Sequence, residues 1–175
     1  MTLLAPIVAE KEKFSAIRRD IHAHPELSYN EHRTAKIVAD QLLSMGIEVH
    51  QGIGVTGLVG VIKGSQEGAG IALRADMDAL PLQEYNDFAH ASKEAGKMHA
   101  CGHDGHTATL LSAASYLASN RDFSGTVYLV FQPAEEGGAG AKAMIEDGLF
   151  DRFSIDEIYG YHNWPGYAQG CVGVS

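Results

Sequence analysis

Short apolar runs alternate with segments of helical periodicity along most of this chain, and the alternation limits the folds that it can adopt. Apolar runs at residues 58–62, 71–75, 126–131 and 158–161 are typical of buried strands. Between and before them, apolar residues recur at the three- and four-residue spacing of a helix that faces a core. We therefore predict a three-layer α/β domain.

Four segments are predicted to be helical. The first covers residues 6–22 and ends at His24-Pro25, because the residue before a proline is pushed out of the α region. The second ends before Gly46, a residue type that is common just after a helix. Residues 106–119 and 139–147 form the other two.

The connections between these segments carry predictions of their own. Residues 63–70 are rich in glycine and are predicted to join two strands as an antiparallel hairpin. Residues 76–97 are predicted to be a long loop, and residues 158–161 a buried strand. In α/β sheets, catalytic residues gather at strand ends and on the loops that follow.

Composition and charge exclude some classes of function. The 175 residues suffice for one domain with a core, and the net charge of -9 offers no basic surface for nucleic acid or anionic membrane. We find neither a basic signal-peptide region nor an apolar run approaching ~18 residues. We therefore expect a cytoplasmic protein without nucleic-acid or membrane partners, in which Cys101 and Cys171 form no disulfide.

Two carboxylates end the second predicted strand. Asp76 and Asp78 are one residue apart, so on extended backbone both side chains point the same way and can converge on one site. A solvated turn before Pro81 is the structural alternative, because Asp is a common turn residue. The pattern by itself leaves both interpretations open.

The segment Cys101-Gly-His-Asp-Gly-His106 carries the most specific metal-binding pattern. Cys101 and His103 offer a thiolate and an imidazole, both good ligands for zinc-like metals. Asp104 and His106 are predicted to support the ligands, since a ligating imidazole usually donates its other N–H to a carboxylate or carbonyl. Asp104 could also cap the following helix, a role compatible with the first.

Glu135 and Glu136 follow the third predicted strand directly. Two adjacent carboxylates at a buried strand end are costly unless they are paired with a cation. Their side chains are expected to diverge, so that one binds metal while its neighbour faces the attacking water. A phosphate-binding loop is excluded, because Ala143 follows Lys142 and the Gly–Lys spacing is wrong.

His162 ends the last predicted strand. A lone histidine in that position is more often structural than a metal ligand. It gains weight here because three other clusters at strand ends already supply ligand-type residues. The four clusters together predict a divalent-metal hydrolase site.

The order of these motifs resembles that of a known family. The motifs on which the resemblance rests are Arg18-Arg-Asp-Ile-His-Ala-His-Pro-Glu26, Leu73-Arg-Ala-Asp-Met-Asp-Ala-Leu-Pro81 and the clusters at residues 101, 135 and 162. They are similar to those of the aminoacylase/carboxypeptidase class of metallopeptidases, in the branch of hippurate hydrolases, N-acyl-amino-acid amidohydrolases and auxin-conjugate hydrolases. The resemblance implies a zinc-exopeptidase-like αβα domain with a mixed sheet, and metal-dependent amide hydrolysis.

The resemblance also implies residue roles. The implied metal ligands are Cys101, His103, Glu136 and His162. Glu135 corresponds to the catalytic base and acid, and Asp78 to a carboxylate that orients the site. The implied cofactor is one or two divalent ions of zinc, manganese, cobalt or nickel, and the implied substrate is a small N-acyl amino acid. The roles of Asp76, His106 and the segment His22–Glu26 stay open.

Length sets this chain apart from intact relatives, which are considerably longer. In them a smaller α/β lid domain is inserted, which forms the dimer and places a histidine over the substrate. The catalytic domain then resumes and supplies a last metal-binding histidine. The resemblance implies that residues 1–175 are the N-terminal part of the catalytic domain, lacking the lid and the C-terminal part, and are by themselves incomplete or inactive.

Two alternatives stay open at this stage. The chain could be a non-catalytic metal-binding or oligomerising remnant of such an enzyme, although Glu135 would then have no use. A cysteine hydrolase would use Cys101 with His103 or His106. In that case the carboxylates of the other clusters would have no role.

Overall fold

A computed structural model describes residues 4–168 and 170–174, in which helices lie on both faces of one five-stranded sheet. In chain order the elements are α1 (Ala5–Ala9), α2 (Lys11–Ala23), α3 (His32–Ser44), β1 (Glu48–Ile53), β2 (Gly57–Lys63), β3 (Gln66–Asp76), α4 (His103–Ser119), β4 (Ser124–Gln132), α5 (Gly140–Glu146), α6 (Leu149–Arg152) and β5 (Glu157–Gly160).

The strand order of the sheet is β1-β2-β4-β3-β5. Neighbours among β1, β2 and β4 are antiparallel, whereas β3 runs parallel to both β4 and β5. The carboxyl ends of β3, β4 and β5 therefore meet at one edge of the sheet. This mixed sheet between two helical layers confirms the predicted αβα class.

Alternating side chains of β4 divide the core into two clusters. Leu129 and Phe131 pack in the cluster that includes α2, α3 and α4, whereas Tyr128 and Val130 pack with α5 and α6. A strand buried on both faces accounts for the continuous apolar run in this part of the sequence. Each fully buried Leu or Phe contributes roughly 1.5–3 kcal/mol relative to exposure.

Most of the predicted helices are confirmed, with changes at their ends. The first is interrupted at Glu10, which separates α1 from α2, and it ends at His24 as predicted. The second ends before Gly46, whose φ of 71° is left-handed. The third begins earlier than predicted, at His103. None of the described helices combines the length and apolar character that a membrane crossing requires.

The predicted hairpin between β2 and β3 is wrong, because β4 lies between them. Lys63 of β2 and Gly70 of β3 both pair with Thr126, from opposite sides of β4. The chain between Lys63 and Gly70 therefore crosses the beginning of β4. Close backbone approach explains its glycines: a Cβ on Gly64 would lie 2.1 Å from the carbonyl oxygen of Phe123. A glycine-rich connection suits a hairpin and a crossing equally well, so local sequence does not separate them.

Two edge strands also differ from expectation. β5 is present but not buried: among the described residues it pairs with β3 on one side only, and Ile158 and Tyr159 remain 47% and 55% exposed. β1 is not predicted at all. Its sequence Glu-Val-His-Gln-Gly-Ile mixes polar and apolar residues without a continuous apolar run.

We predict that Gly70→Ala destabilises the fold by about 1–3 kcal/mol. Gly70 lies beside the segment that precedes β5, and an added Cβ would stand 1.8 Å from the carbonyl oxygen of Ser154. Gly105→Ala is the matched control, because Gly105 lies within α4 and its added Cβ would meet only Arg18, at 4.0 Å. Chemical denaturation measures both variants, and equal unfolding free energies would contradict the prediction.

Candidate metal centre

The segments at the carboxyl edge of the sheet bring the predicted site residues together. Asp76 is the last residue of β3, Glu135 and Glu136 follow β4, and His162 follows β5. Cys101 and His103 lie at the beginning of α4, whose N-terminus approaches the same edge. The structure therefore places all four implied ligands and Glu135 in one cluster around the imidazole of His103.

His103 occupies the centre of this cluster, since it belongs to both groups of converging ligand atoms. Its Nδ1 lies 2.8 Å from the backbone oxygen of Asp78 and 3.3 Å from Oδ1 of the same residue, so Nδ1 is the nitrogen that donates. Its Nε2 is buried and has no hydrogen-bond partner in the described part of the chain. In the neutral ring, Nε2 carries the lone pair that a metal ion would take.

Acidic oxygens surround this nitrogen. Oδ2 of Asp76 lies 3.6 Å from Nε2 of His103, and one carboxylate oxygen each of Glu135 and Glu136 lies 3.8 Å from it. Ligand atoms of Cys101, His103 and Glu136 all lie within 4.8 Å of one another. Oε1 of Glu136 is also buried without a partner among the described residues. The sulfur, nitrogen and oxygen donors fit a zinc-like ion.

The electrostatics of the cluster favour positive charge. Burial alone lowers the pKa of His103, but its hydrogen bond to Asp78 and the neighbouring carboxylates outweigh burial and raise this pKa. Burial and, to a smaller extent, the neighbouring Glu136 together raise the pKa of the Cys101 thiol to about 12. A cysteine nucleophile needs a lowered pKa. The raised pKa of the Cys101 thiol therefore disfavours the cysteine-hydrolase alternative.

Asp78 connects two loops of the site. Burial would raise its pKa, but hydrogen bonds from His103, Glu136 and Ser28 outweigh burial and lower it. Its Oδ2 accepts from Oγ of Ser28 and from the backbone N–H of Glu136, each at 3.0 Å. Through these contacts Asp78 fixes the orientation of the His103 ring and the position of the Glu136 backbone.

The side chains of Glu135 and Glu136 do not diverge as expected, because both carboxylates approach the same nitrogen of His103. The backbone leaves the extended conformation here, with a φ of 50° at Ala134 and 88° at Gly137. The Glu135 side chain is 39% exposed, compared with 20% for Glu136. Glu135 is thus the more accessible of the two acids.

His162 lies on the exposed side of the cluster. Its Nε2 is 3.4 Å from Sγ of Cys101, and its Nδ1 is 2.7 Å from the backbone oxygen of Asn163. A carbonyl oxygen can only accept, so Nδ1 donates and Nε2 is left with its lone pair. The exposed His162 can therefore offer Nε2 to an ion bound beside Cys101.

Asp76 and His106 form a pair whose role the sequence leaves open. Oδ1 of the buried Asp76 lies 2.6 Å from Nδ1 of His106, and its Oδ2 accepts from Arg74 at 2.8 Å. With His103 and His162, the pair also forms a second group of ligand-type atoms within 4.8 Å. Both ring nitrogens of His106 already contact neighbours, Asp76 and Asn163, so His106 orients Asp76 and has no free nitrogen.

Arg74 is a site residue that the sequence interpretation overlooked. It lies two residues before Asp76 on the same strand, so the period-two alternation places both side chains on one face. Burial would raise the pKa of Asp76, but the hydrogen bond from His106 and the charges of His103 and Arg74 lower it. The strand pattern was a usable signal for this pair.

Asp104 does not cap α4. The N-cap position is Gly102, with a φ of 86°, and no side chain caps the helix there. The Asp104 carboxylate accepts instead from Arg18 at 3.0 Å and from His22 at 2.9 Å. The other ring nitrogen of His22 contacts Glu84 at 3.1 Å. The segment near His22 thus makes structural hydrogen bonds that tie the long loop before Cys101 to α4.

Comparison with known proteins relates this arrangement to one family. The sequence model of the peptidase family M20/M25/M40 matches residues 72–175. A hippurate hydrolase of Campylobacter jejuni is 54% identical over 94% of this chain, and an N-acetyl-L-cysteine deacetylase of Bacillus subtilis is 47% identical over 94%. The crystal structure of Bacillus subtilis YxeP, described as a dinuclear metal binding peptidase from the M20 family, matches 91% of this chain with a TM-score of 0.86 and 43% identity.

The matches leave much of each relative uncovered. This chain spans 43% of the length of the hippurate hydrolase and 39% of the deacetylase. It spans 44% of the chain in the matching crystal structure. The similarity therefore concerns less than half of each of these proteins.

We predict that Cys101 resists alkylation in metal-free protein near neutral pH. With a pKa raised to about 12, only about one thiol in ten thousand is ionised at pH 8, and its labelling should quicken with each unit of pH rise. The exposed Cys171 serves as the internal reference. Iodoacetamide labelling followed by mass spectrometry measures both thiols; equal labelling rates at pH 8 would contradict the prediction.

Proposed function

Because the chain belongs to the peptidase family M20/M25/M40, we propose that it carries the metal site of a metal-dependent amidohydrolase that cleaves N-acyl amino acids. This membership confirms the resemblance that the order of the motifs predicts. The observation that carries the proposal is the buried Nε2 of His103, which has no hydrogen-bond partner among the described residues and faces Cys101 and two glutamates.

The metal would be held by the side chains whose ligand atoms lie close together around Nε2 of His103. They are Cys101, His103, Glu136 and His162. When bound, a divalent ion supplies Lewis acidity, which polarises a substrate carbonyl and lowers the pKa of water. Asp78 would orient the ligand His103 by accepting from its ring. Asp76, which is held by Arg74 and His106, would add negative charge beside His103.

Glu135 carries the proton in the proposed reaction. Its carboxylate takes a proton from the attacking water as the scissile carbonyl is attacked, and delivers that proton to the departing amine nitrogen. One carboxylate therefore serves as base and then as acid. Two observations support this assignment: its position beside the ligand His103, and an exposure that leaves it reachable by substrate.

The substrate class is proposed from two relatives. Hippurate hydrolase and N-acetyl-L-cysteine deacetylase are both named for amides formed between an acyl group and an amino acid. We extend this class, a small acyl group on an amino acid, to the protein that contains this chain. The identity of the ion is proposed only as a zinc-like divalent metal, since manganese, cobalt and nickel accept similar donors.

We further propose that residues 1–175 form the first part of a catalytic domain that acts in the cytoplasm. A lid domain and a later segment would complete the site and mediate dimer formation. The outer edge of β5 supports this proposal: it pairs with no strand in the described part of the chain, and an exposed apolar edge strand is normally covered in a finished sheet.

The neighbouring glutamates provide a matched pair of variants. We predict that Glu136→Gln weakens zinc binding more than about 100-fold, because loss of a residue that only supports a ligand already lowers metal affinity about 10–100-fold. We predict that Glu135→Gln keeps the zinc affinity of the 175-residue chain within a few-fold and, in the longer protein that contains this chain, lowers kcat about 10²–10⁴-fold, the range of a general acid–base. Competition with a chromophoric chelator measures affinity, and amino acid released from benzoylglycine measures turnover.

Opposite outcomes would reject specific assignments. If the two variants lost zinc affinity equally, the different roles of Glu135 and Glu136 would be wrong. If the chain bound zinc tightly but released no amino acid with zinc, manganese or cobalt present, the 175 residues alone would be a metal-binding unit. If a thiol alkylator but no chelator abolished turnover, the metal mechanism would be rejected.

A further inference from the structure

Glu31 is a buried carboxylate that the proposed reaction does not use. It is 0% exposed and occupies the N-cap position of α3. The shorter Asp, Asn, Ser and Thr side chains commonly accept a hydrogen bond from the first turn of the helix when they occupy this position. Glu31 makes no such bond, so its carboxylate is directed elsewhere.

The first turn of α3 is capped by a different residue. Glu26 accepts from the backbone N–H of Arg33 at 2.9 Å and from that of Thr34 at 2.8 Å. It also accepts from the hydroxyl of Thr34 at 2.9 Å. These bonds satisfy helix N–H groups that would otherwise lack partners. The carboxylate of Glu31 is therefore free to serve another part of the structure.

Glu31 contacts the turn that carries the two acids of the metal centre. Its Oε1 accepts from the backbone N–H of Ala134 at 2.9 Å, and its Oε2 accepts from the hydroxyl of Thr56 at 2.5 Å. Ala134 is fully buried and immediately precedes Glu135. Its φ of 50° is left-handed, a conformation that is strained for any residue with a side chain and persists only where its surroundings hold it.

Residues next to Glu31 contact the same region. The Tyr29 hydroxyl donates to the backbone oxygen of Gly138 at 2.5 Å, and Oγ of Ser28 donates to Asp78 at 3.0 Å. The segment from Ser28 to Glu31 thus binds the turn after β4 at both its beginning and its end. It also binds the carboxylate that connects His103 with Glu136.

We propose that Glu31 is a positioning residue for the metal centre, which acts by holding the Ala134 N–H and with it the turn that presents Glu135 and Glu136 to His103. This inference rests on the proposed function, since it concerns the same metal site. Without an acceptor at Glu31, the buried N–H of Ala134 loses its hydrogen bond. The turn then relaxes, and the carboxylate of Glu136 no longer meets Cys101 and His103.

Three variants of the 175-residue chain separate positioning from general stability. Glu31→Ala removes both acceptors. Glu31→Gln is the conservative rescue, because its amide oxygen can still accept from Ala134 while its NH₂ group faces the Thr56 hydroxyl. Glu26→Ala is the matched control, since it also removes a carboxylate acceptor near the start of α3, here a partly buried one, but leaves the contact with Ala134 intact.

The readouts are metal affinity and the spectrum of the bound metal. Zinc affinity is measured by competition with a chromophoric chelator, and cobalt(II) absorption reports thiolate ligation and coordination geometry. We expect Glu31→Ala to lose about 10–100-fold in zinc affinity, as supporting residues of metal sites do, with an altered cobalt spectrum. Glu31→Gln should stay within a few-fold of wild type, and Glu26→Ala should lower thermal stability with unchanged affinity and spectrum.

Several results would overturn the inference. The inference would be wrong if folded Glu31→Ala kept the wild-type zinc affinity and cobalt spectrum. It would also be wrong if Glu31→Ala and Glu26→Ala lost zinc affinity equally. If Glu31→Ala does not fold, Glu31→Asp replaces it, because the shorter side chain keeps the charge but does not reach the N–H of Ala134. A wild-type cobalt spectrum in Glu31→Asp would also reject the positioning role of Glu31. Failure of the wild-type chain to bind metal would instead overturn the proposed function, and this inference with it.

Discussion

The parallel pairing of β3 with β4 is the constraint on which the rest of the site depends. The register pairs Asp76 with Gln132, the last residues of the two strands, so the loops that follow β3 and β4 begin side by side. Asp78 and Glu136 then come close enough for the carboxylate of one to accept from the N–H of the other. Two acids far apart in sequence thereby acquire a fixed spacing. The burial of β4 on both faces holds this pairing in place.

The metal centre is a place where several local preferences are overridden together. Carboxylates converge on one imidazole nitrogen, a thiol has its pKa raised to about 12, and Ala134 adopts a left-handed backbone. Each of these features is unfavourable alone. A bound cation would reverse the electrostatic part of that cost, because it pairs with the acids and favours the thiolate. Residues that contact the metal centre from outside, Asp78 and Glu31 among them, hold the remaining geometry.

The sequence predicts the layers and the location of the site better than it predicts connectivity. Strand-end acids and the Cys101–His106 segment are local signals, and they lie where the sequence places them. The β2–β3 hairpin is wrong because strand neighbours depend on a segment some sixty residues further along the chain. The contacts of Glu31 are equally remote in sequence, spanning 103 residues to Ala134, so no local pattern reveals them.

The insertion of β4 between β2 and β3 has a consequence for how this chain folds. β2 and β3 run in opposite directions and are close in sequence, so a hairpin between them has a small loop-closure entropy to overcome. That hairpin is absent from the native sheet, where each strand pairs with β4 instead. A nascent chain that has not yet made β4 can therefore enter a non-native pairing, which must open before the central strand can enter. The same glycine-rich connection that lets the finished chain cross β4 also favours this kinetic trap.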